Sequence, residues 1–167
     1  MDLTYDISRE DYWEFNKFYL TRSRHLRLRI GFTALIVAST CFLLLTLFEA
    51  TPFKFAVVWA CITGMLYVPF AYWNCKRTVM RIPSKGGTML GEHHLKIGSD
   101  GVFGKSKAGE GLIRWSGVMD IIETKKYVFM FMDTTVAIIV PKRVFANSAD
   151  MEQFLITATS FWKAAKP

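Results

Sequence analysis

The stretch LTLFEATPFKFAVV, residues 45–58, separates two long apolar runs and decides how the whole chain is read. Glu49 and Lys54 are its only charges, with Thr51 and Pro52 between them. It is either a surface turn between two buried helices of a soluble protein or the tip of a hairpin beyond a membrane. Residues 30–48 and 55–73 contain no Asp, Glu, Lys or Arg. As a helix rising ~1.5 Å per residue, each run measures roughly 28 Å, close to the hydrocarbon thickness of a bilayer. A core helix of a soluble domain carries a polar stripe on its outward side, and neither run has one. The hydroxyls of Thr33, Ser39, Thr40, Thr46 and Thr63 can bond back onto their own helix. Two transmembrane helices follow, with FEATPFK as the exposed turn.

Charge supports that reading. The 167 residues carry a formal net charge of +7, which by itself suggests nucleic acid. Its placement argues otherwise. Arg22, Arg24, Arg27 and Arg29 precede the first run, and Lys76, Arg77, Arg81 and Lys85 follow the second. Residues 86–167 hold ten basic and eight acidic side chains, so the excess belongs to the membrane boundary. No aromatic stacking platform or recognition motif accompanies these cations, so nucleic acid is not a partner. By the positive-inside bias both termini lie in the cytoplasm. Tyr67, Tyr72 and Trp73 at one end, with Phe53, Phe55 and Trp59 at the other, fit interfacial belts.

Ala56, Ala60 and Gly64 recur every four residues, and Ala34 with Ala38 offers a matching patch on the first helix. Small residues let helices approach closely inside lipid. The stripe either closes the hairpin within one chain or joins two chains into a homo-oligomer. Pro69 should kink the second helix. With no ionisable group in either span, an ion path or transporter is disfavoured. Cys41, Cys61 and Cys75 are scattered and odd in number, so they read as reduced packing residues. The acidic start (Asp2, Asp6, Glu10, Asp11) does not resemble a cleavable signal peptide.

Outside the spans, DLTYDI alternates Leu3, Tyr5 and Ile7 with polar residues, the period of a strand. Ser8 and Asp11 have capping-box spacing. From Glu10 to about Arg29 an aromatic-rich amphipathic helix is expected to run continuously into the first span. Residues 1–29 thus form a front segment, 30–75 the hairpin, and 86–167 a C-terminal domain, with Pro83 and Gly86-Gly87 as linker. That domain reads as short strands (EHHLKI, VFGKSK, LIRWS, VMDIIET, YVFMFM, VAIIVP) parted by the turns SDG, AGEG and DTT. An amphipathic helix follows, capped by Asn147 or Ser148, with Met151, Phe154, Leu155, Ala158, Phe161 and Trp162 as its stripe. The fold class is an α+β membrane protein: a two-helix hairpin and a small antiparallel barrel or sandwich, pleckstrin-homology-like, closed by its last helix. LTYDI would supply the missing strand.

The segments GEHHLKIGSDGV, IRWSGVMDIIETKKYVFMFM and AIIVPKRVF resemble the C-terminal region of the YcxB-like family of bacterial membrane proteins. YDISREDYWEFNKFYL followed by two hydrophobic spans is similar to that family's front half. The resemblance implies a bacterial inner-membrane hairpin with a cytoplasmic pleckstrin-homology-like domain. It implies no activity.

Candidate sites are few. Glu92-His93-His94 has ligand chemistry, yet adjacent strand residues face opposite ways, so no metal or other cofactor is expected. The scattered Gly101, Gly104, Gly109 and Gly111 precede no helix that could hold phosphate. Ser116, Asp120 and Glu123 do not assemble a nucleophile, base and orienter. The chain therefore reads as a non-enzyme. Lys142 and Arg143, at the end of the last strand, either grip headgroups or an acidic partner or stand as solvated charges. Trp115, Phe129, Met130, Phe131 and Met132 are apolar on both faces of their strands. One face enters the core; the other must meet the membrane, the N-terminal helix or another protein. The function expected is an anchored interaction module that binds a protein partner or membrane lipid. The alternative is an immunity protein neutralising a bacterial toxin.

Overall fold

The computed structural model describes residues 1–48, 51–82 and 90–166. The chain forms two compact units, Met1–Phe15 with Ile82–Pro167, and Asn16–Arg81. The linker residues Pro83, Gly86 and Gly87, and the boundary cation Lys85, lie outside the described residues, as does Glu49 of the turn.

The first unit begins where the alternation of Leu3, Tyr5 and Ile7 places them on one side of strand β1 (Asp2–Ile7). β1 pairs antiparallel with β2 (Gly91–Gly98), setting Leu3 opposite Leu95 and Tyr5 opposite His93. The two ends of the chain thus share one sheet. It continues through β3 (Gly101–Ser106) and β4 (Gly109–Arg114) in the order β1-β2-β3-β4. The expected turn AGEG is shorter than its four residues. Lys107 and Ala108 make the turn, and Gly109 to Gly111 already belong to β4. Gly101 permits the close approach of β3 to β4: a Cβ there would lie 2.2 Å from the Ile113 carbonyl oxygen.

A 3-10 turn (Trp115–Gly117) leads into a second antiparallel sheet of β5 (Asp120–Glu123), β6 (Tyr127–Phe131) and β7 (Ala137–Pro141), with β6 central. The barrel expectation is corrected here: β4 and β5 share no ladder, so the sheets stay separate. Every residue of β6 is buried, which hides any alternation in its sequence. The unit closes with a C-terminal helix, Ser148–Ala164, whose amide at Asp150 is capped by the Asn147 side chain at 2.8 Å. Leu95, Ile97, Val102, Val128, Met130, Val140, Phe154 and Ala158 form the core. Each large side chain so buried contributes about 1.5–3 kcal/mol.

Helix α1 (Arg9–Arg22) carries the boundary between the units. It does not continue into the first apolar helix, as the sequence suggested. Ser23 is extended, at φ −71° and ψ 109°, and its hydroxyl accepts from the Leu26 amide. A serine that caps a new helix outcompetes a continuous backbone ladder at that point.

The second unit is an antiparallel pair, α2 (Arg24–Leu47) and α3 (Phe53–Met80), both long and apolar enough to cross a membrane. The C-terminal helix of the first unit is accordingly α4. α3 runs through Pro69 to Met80. Thr33, Thr46 and Thr63 bond back to the carbonyls of Arg29, Phe42 and Trp59 at 2.8, 3.0 and 2.7 Å. The small-residue stripe lies inside the pair. Ala56 and Ala60 are buried, and a Cβ on Gly64 would sit 3.1 Å from the Ala38 Cβ. The stripe therefore closes the hairpin within one chain.

Candidate functional site

Arg143, in the 3-10 turn (Lys142–Val144) after β7, turns inward to α1. Its Nη1 donates to Asp11 Oδ1 at 2.5 Å and its Nη2 to Asp11 Oδ2 at 2.6 Å, a two-pronged pair. Nη2 also donates to the Asp6 carbonyl at 3.2 Å. The Asp11 carboxylate is only 1% exposed and is fully engaged. The Ser8 amide and hydroxyl donate to Oδ2, each at 2.8 Å, and the Asp11 amide returns a bond to the Ser8 hydroxyl at 3.2 Å. That is the capping box foreseen from spacing. The Tyr127 hydroxyl adds a 2.9 Å bond to Oδ1.

Burial pulls the Asp11 carboxyl upward, but the Arg143 guanidinium, Ser8 and Tyr127 outweigh it and hold it down at about 2. Burial, then the bond to Asp11 and its negative charge, push the Tyr127 phenol up to about 12. The bond to Asp11 also raises Arg143. This constellation locks β1, α1, β6 and β7 together. Its carboxylate has no room to abstract a proton from a ligand.

The other basic residue, Lys142, pairs with Glu123, while its amide bonds the Lys126 carbonyl at 2.8 Å. Lys142 is thus partly covered and ion-paired, and Arg143, though half exposed, is held by Asp11. Arg143 in particular contributes to the fold, so reversing it tests stability before binding.

Trp115 is buried, donates from Nε1 to the Gly98 carbonyl at 2.8 Å, and has the Phe161 ring 6.1 Å away. Phe129 and Phe131 lie under Phe15 of α1, with ring centroids 5.6 and 6.0 Å apart, and Tyr127 stacks on Phe129. Of the three candidates for the second face of β6, the structure selects the N-terminal helix. Met130 is fully buried. Met132 leaves the strand for a bend and is half-buried. As docking residues, Trp115 and Phe129 to Phe131 are therefore corrected to core.

His93 turns inward and stacks on Tyr5, whereas His94 faces outward to the Thr4 hydroxyl at 2.9 Å and Glu92 at 3.4 Å. Among the described residues no group of three His, Cys, Asp or Glu side chains could hold a metal. Arg22, Arg24, Arg27, Arg29, Lys76, Arg77 and Arg81 are exposed at the ends of α1, α2 and α3. Arg22 covers the Phe18 ring and Arg77 the Trp73 ring, at 5.8 and 5.2 Å.

An open groove that sequence reasoning missed runs between β5 and α4. It encloses about 530 Å³ and is lined by Ile121, Glu123, Leu155, Ile156, Thr159, Ser160 and Lys163. Ile156 is 64% exposed there. It falls outside the stripe that faces the core, so helical periodicity marks it as merely outward.

Residues 97–156, from the end of β2 to the middle of α4, match the family model described as YcxB-like protein. The chain carries a YcxB-like domain. The match includes Tyr127, Lys142, Arg143 and most of the groove, whereas β1 and α1, with Asp11, lie before it. The YcxB-like domain is thus completed in space by an N-terminal segment beyond the matched residues. Curated proteins and solved structures give no match.

Proposed function

We propose that the protein is a non-catalytic interaction module of the bacterial inner membrane, whose YcxB-like domain binds a protein partner in the cytoplasm. The groove between β5 and α4 carries this reading. Ile121, Leu155 and Ile156 give it an apolar floor, Thr159 and Ser160 a hydroxyl rim, and Lys163 a single cation. Such a lining suits the side chains of a protein segment, with the polar rim fixing its orientation. A phosphate headgroup calls for several convergent cations instead, and the two best candidates are held by Glu123 and Asp11.

The anchor is supported by exposure. α2 has no buried residue, and Phe32, Leu35, Leu43 and Met65 project widely from the hairpin. A helix apolar on every side is at ease in lipid and not in water. The seven described basic residues at the helix ends favour the cytoplasm for both flanks. A four-stranded and a three-stranded sheet followed by a C-terminal helix suit a pleckstrin-homology-like plan.

A photoreactive benzoylphenylalanine in place of Ile156, introduced in the full chain in living cells, tests the groove. A discrete protein adduct that is absent with the same probe at Asp100 is expected. Adducts to lipid alone, or the same pattern at both positions, would refute the reading.

A further inference from the structure

Strand β4 ends the four-stranded sheet and, among the described residues, pairs only with β3. All its residues are exposed except the half-buried Ile113. The direction of its peptide groups follows from the ladder. The Ile97 amide donates to the Met1 carbonyl at 3.0 Å, and the Met1 ammonium to the Ile97 carbonyl at 3.3 Å. In β2 the odd-numbered residues therefore bond β1. Peptide groups alternate sides along an antiparallel strand, so His94, Lys96 and Gly98 bond β3. The register then aims Val102, Gly104 and Ser106 at β4, and Gly109, Gly111 and Ile113 back at β3. Glu110, Leu112 and Arg114 are left with N–H and C=O groups directed to the open side. Such a row is a template for another strand.

The side chains of the same three residues share the outer face of the sheet. Leu112 is 53% exposed beside Phe103, its cross-strand neighbour, which is 37% exposed. Charges on an open edge usually repel a second strand. Here they are opposite in sign and stand two residues to either side of Leu112. Antiparallel pairing of β4 with itself about Leu112 sets each Glu110 opposite the other copy's Arg114. Leu112 then meets its own counterpart, and all three outward residues form mutually hydrogen-bonded pairs. On the inner face Gly111 comes opposite Ile113, so the branched side chain finds space. Lys105, 3.2 Å from Glu110 in its own sheet, places that carboxylate between two cations. A register slipped by two residues puts Leu112 opposite a charge and loses an ion pair.

We propose that the β4 edge is a self-association surface, on which a second copy of this chain continues the sheet across a two-fold axis at Leu112. This surface is separate from the groove between β5 and α4, and from the small-residue stripe that the hairpin already uses. The resulting five-residue antiparallel seam, Glu110 to Arg114 of each copy, is self-complementary in hydrogen bonding, charge and apolar contact.

The test uses the full-length chain in membranes with Cys41, Cys61 and Cys75 each replaced by Ala. Opposed hydrogen-bonded residues have Cα atoms about 5.5 Å apart, within disulfide reach. Leu112→Cys should therefore cross-link to a dimer on mild oxidation, and Lys96→Cys, on the central strand β2, should not. Without introduced cysteines, Glu110→Arg should weaken dimerisation roughly tenfold by opposing like charges at both ends of the seam. The double variant Glu110→Arg/Arg114→Glu should restore it, which a variant that merely fails to fold cannot do. Cross-linking at Leu112→Cys no greater than at Lys96→Cys, or a charge swap without recovery, would overturn the proposal.

Discussion

Arg143 holds Asp11 by two nitrogens, at 2.5 and 2.6 Å, across 132 positions of chain. The pair joins the helix that leads toward the apolar hairpin to the 3-10 turn after the last strand of the YcxB-like domain. Its two members differ in exposure: the carboxylate side chain is 1% exposed and the guanidinium 54%. The anion depends on the pair far more than the cation does.

Truncating the cation should therefore be the costlier change. Arg143→Ala leaves a buried carboxylate with only Ser8 and Tyr127. Breaking a fully buried pair costs several kcal/mol, and the water reaching Arg143 reduces this to about 2 kcal/mol. Asp11→Asn should cost less, since it leaves Arg143 facing solvent. Denaturant midpoints of the purified full-length variants measure both. Equal midpoints for Arg143→Ala and the exposed control Lys105→Ala would show the link to be idle.

The same constellation predicts two pH limbs. Asp11 is held at about 2 in the fold, against an ordinary value of about 4. Between those values the unfolded chain binds more protons, so stability is full above pH 4 and is lost as pH falls toward 2. Asp11→Asn should flatten that loss. Tyr127 is pushed up to about 12, so unfolded phenol ionises first and stability falls as pH rises from about 10 to 12. Tyr127→Phe should reduce the alkaline part, which the buried Tyr5 phenol, also raised, shares. It should lessen the acid limb only in part, because Arg143 and Ser8 still hold Asp11 down. Stability-versus-pH curves of the two variants that parallel the unsubstituted protein would contradict the assignment.

Some of this architecture is written in short-range pattern, and some cannot be. The hairpin shows because two uncharged runs of helical length admit few alternatives. β1 shows through the alternation of Leu3, Tyr5 and Ile7, and the capping box through the spacing of Ser8 and Asp11. The match of Ala34 and Ala38 to Gly64 follows from helical period alone. The partner of Asp11 does not show, because no local rule pairs residues 11 and 143. β6 misled for a different reason: a strand buried on both faces loses its alternation, so a covered face looks like a free one. The break at Ser23 was hidden because it turns on a single hydroxyl bond, in a segment without Pro or Gly.

The hairpin's closed face gives a chemical test. The Thr63 hydroxyl lies 3.6 Å from Cys41 Sγ. In a chain with Cys61→Ala and Cys75→Ala, Thr63→Cys should form an intrachain disulfide with Cys41 on oxidation, read as loss of thiol labelling without a dimer band. Adding Gly64→Leu should suppress it, because even a Cβ there sits 3.1 Å from the Ala38 Cβ. Efficient bridging in the Gly64→Leu chain would mean that the helices do not meet along this stripe.

Topology is the prediction on which the proposed partner depends. β1 precedes the two apolar helices and β2 follows them, yet they are neighbours in one sheet. A sheet cannot form across a bilayer, so the chain between them must cross an even number of times or not at all. Two helices of 24 and 28 residues allow two crossings. The cations at Arg22, Arg24, Arg27, Arg29, Lys76, Arg77 and Arg81, against Lys54 alone in the turn, should then keep both outer ends on the cytoplasmic side. A compartment reporter at either terminus should read cytoplasm, and one inserted at Thr51 the opposite side. A cytoplasmic signal at Thr51 would place the whole chain on one side of the membrane. Opposite signals at the two termini would be incompatible with the β1–β2 ladder itself. Replacing the seven flanking cations with Gln should weaken the orientation and leave that ladder intact, because the bias acts on the crossings and the ladder on the fold.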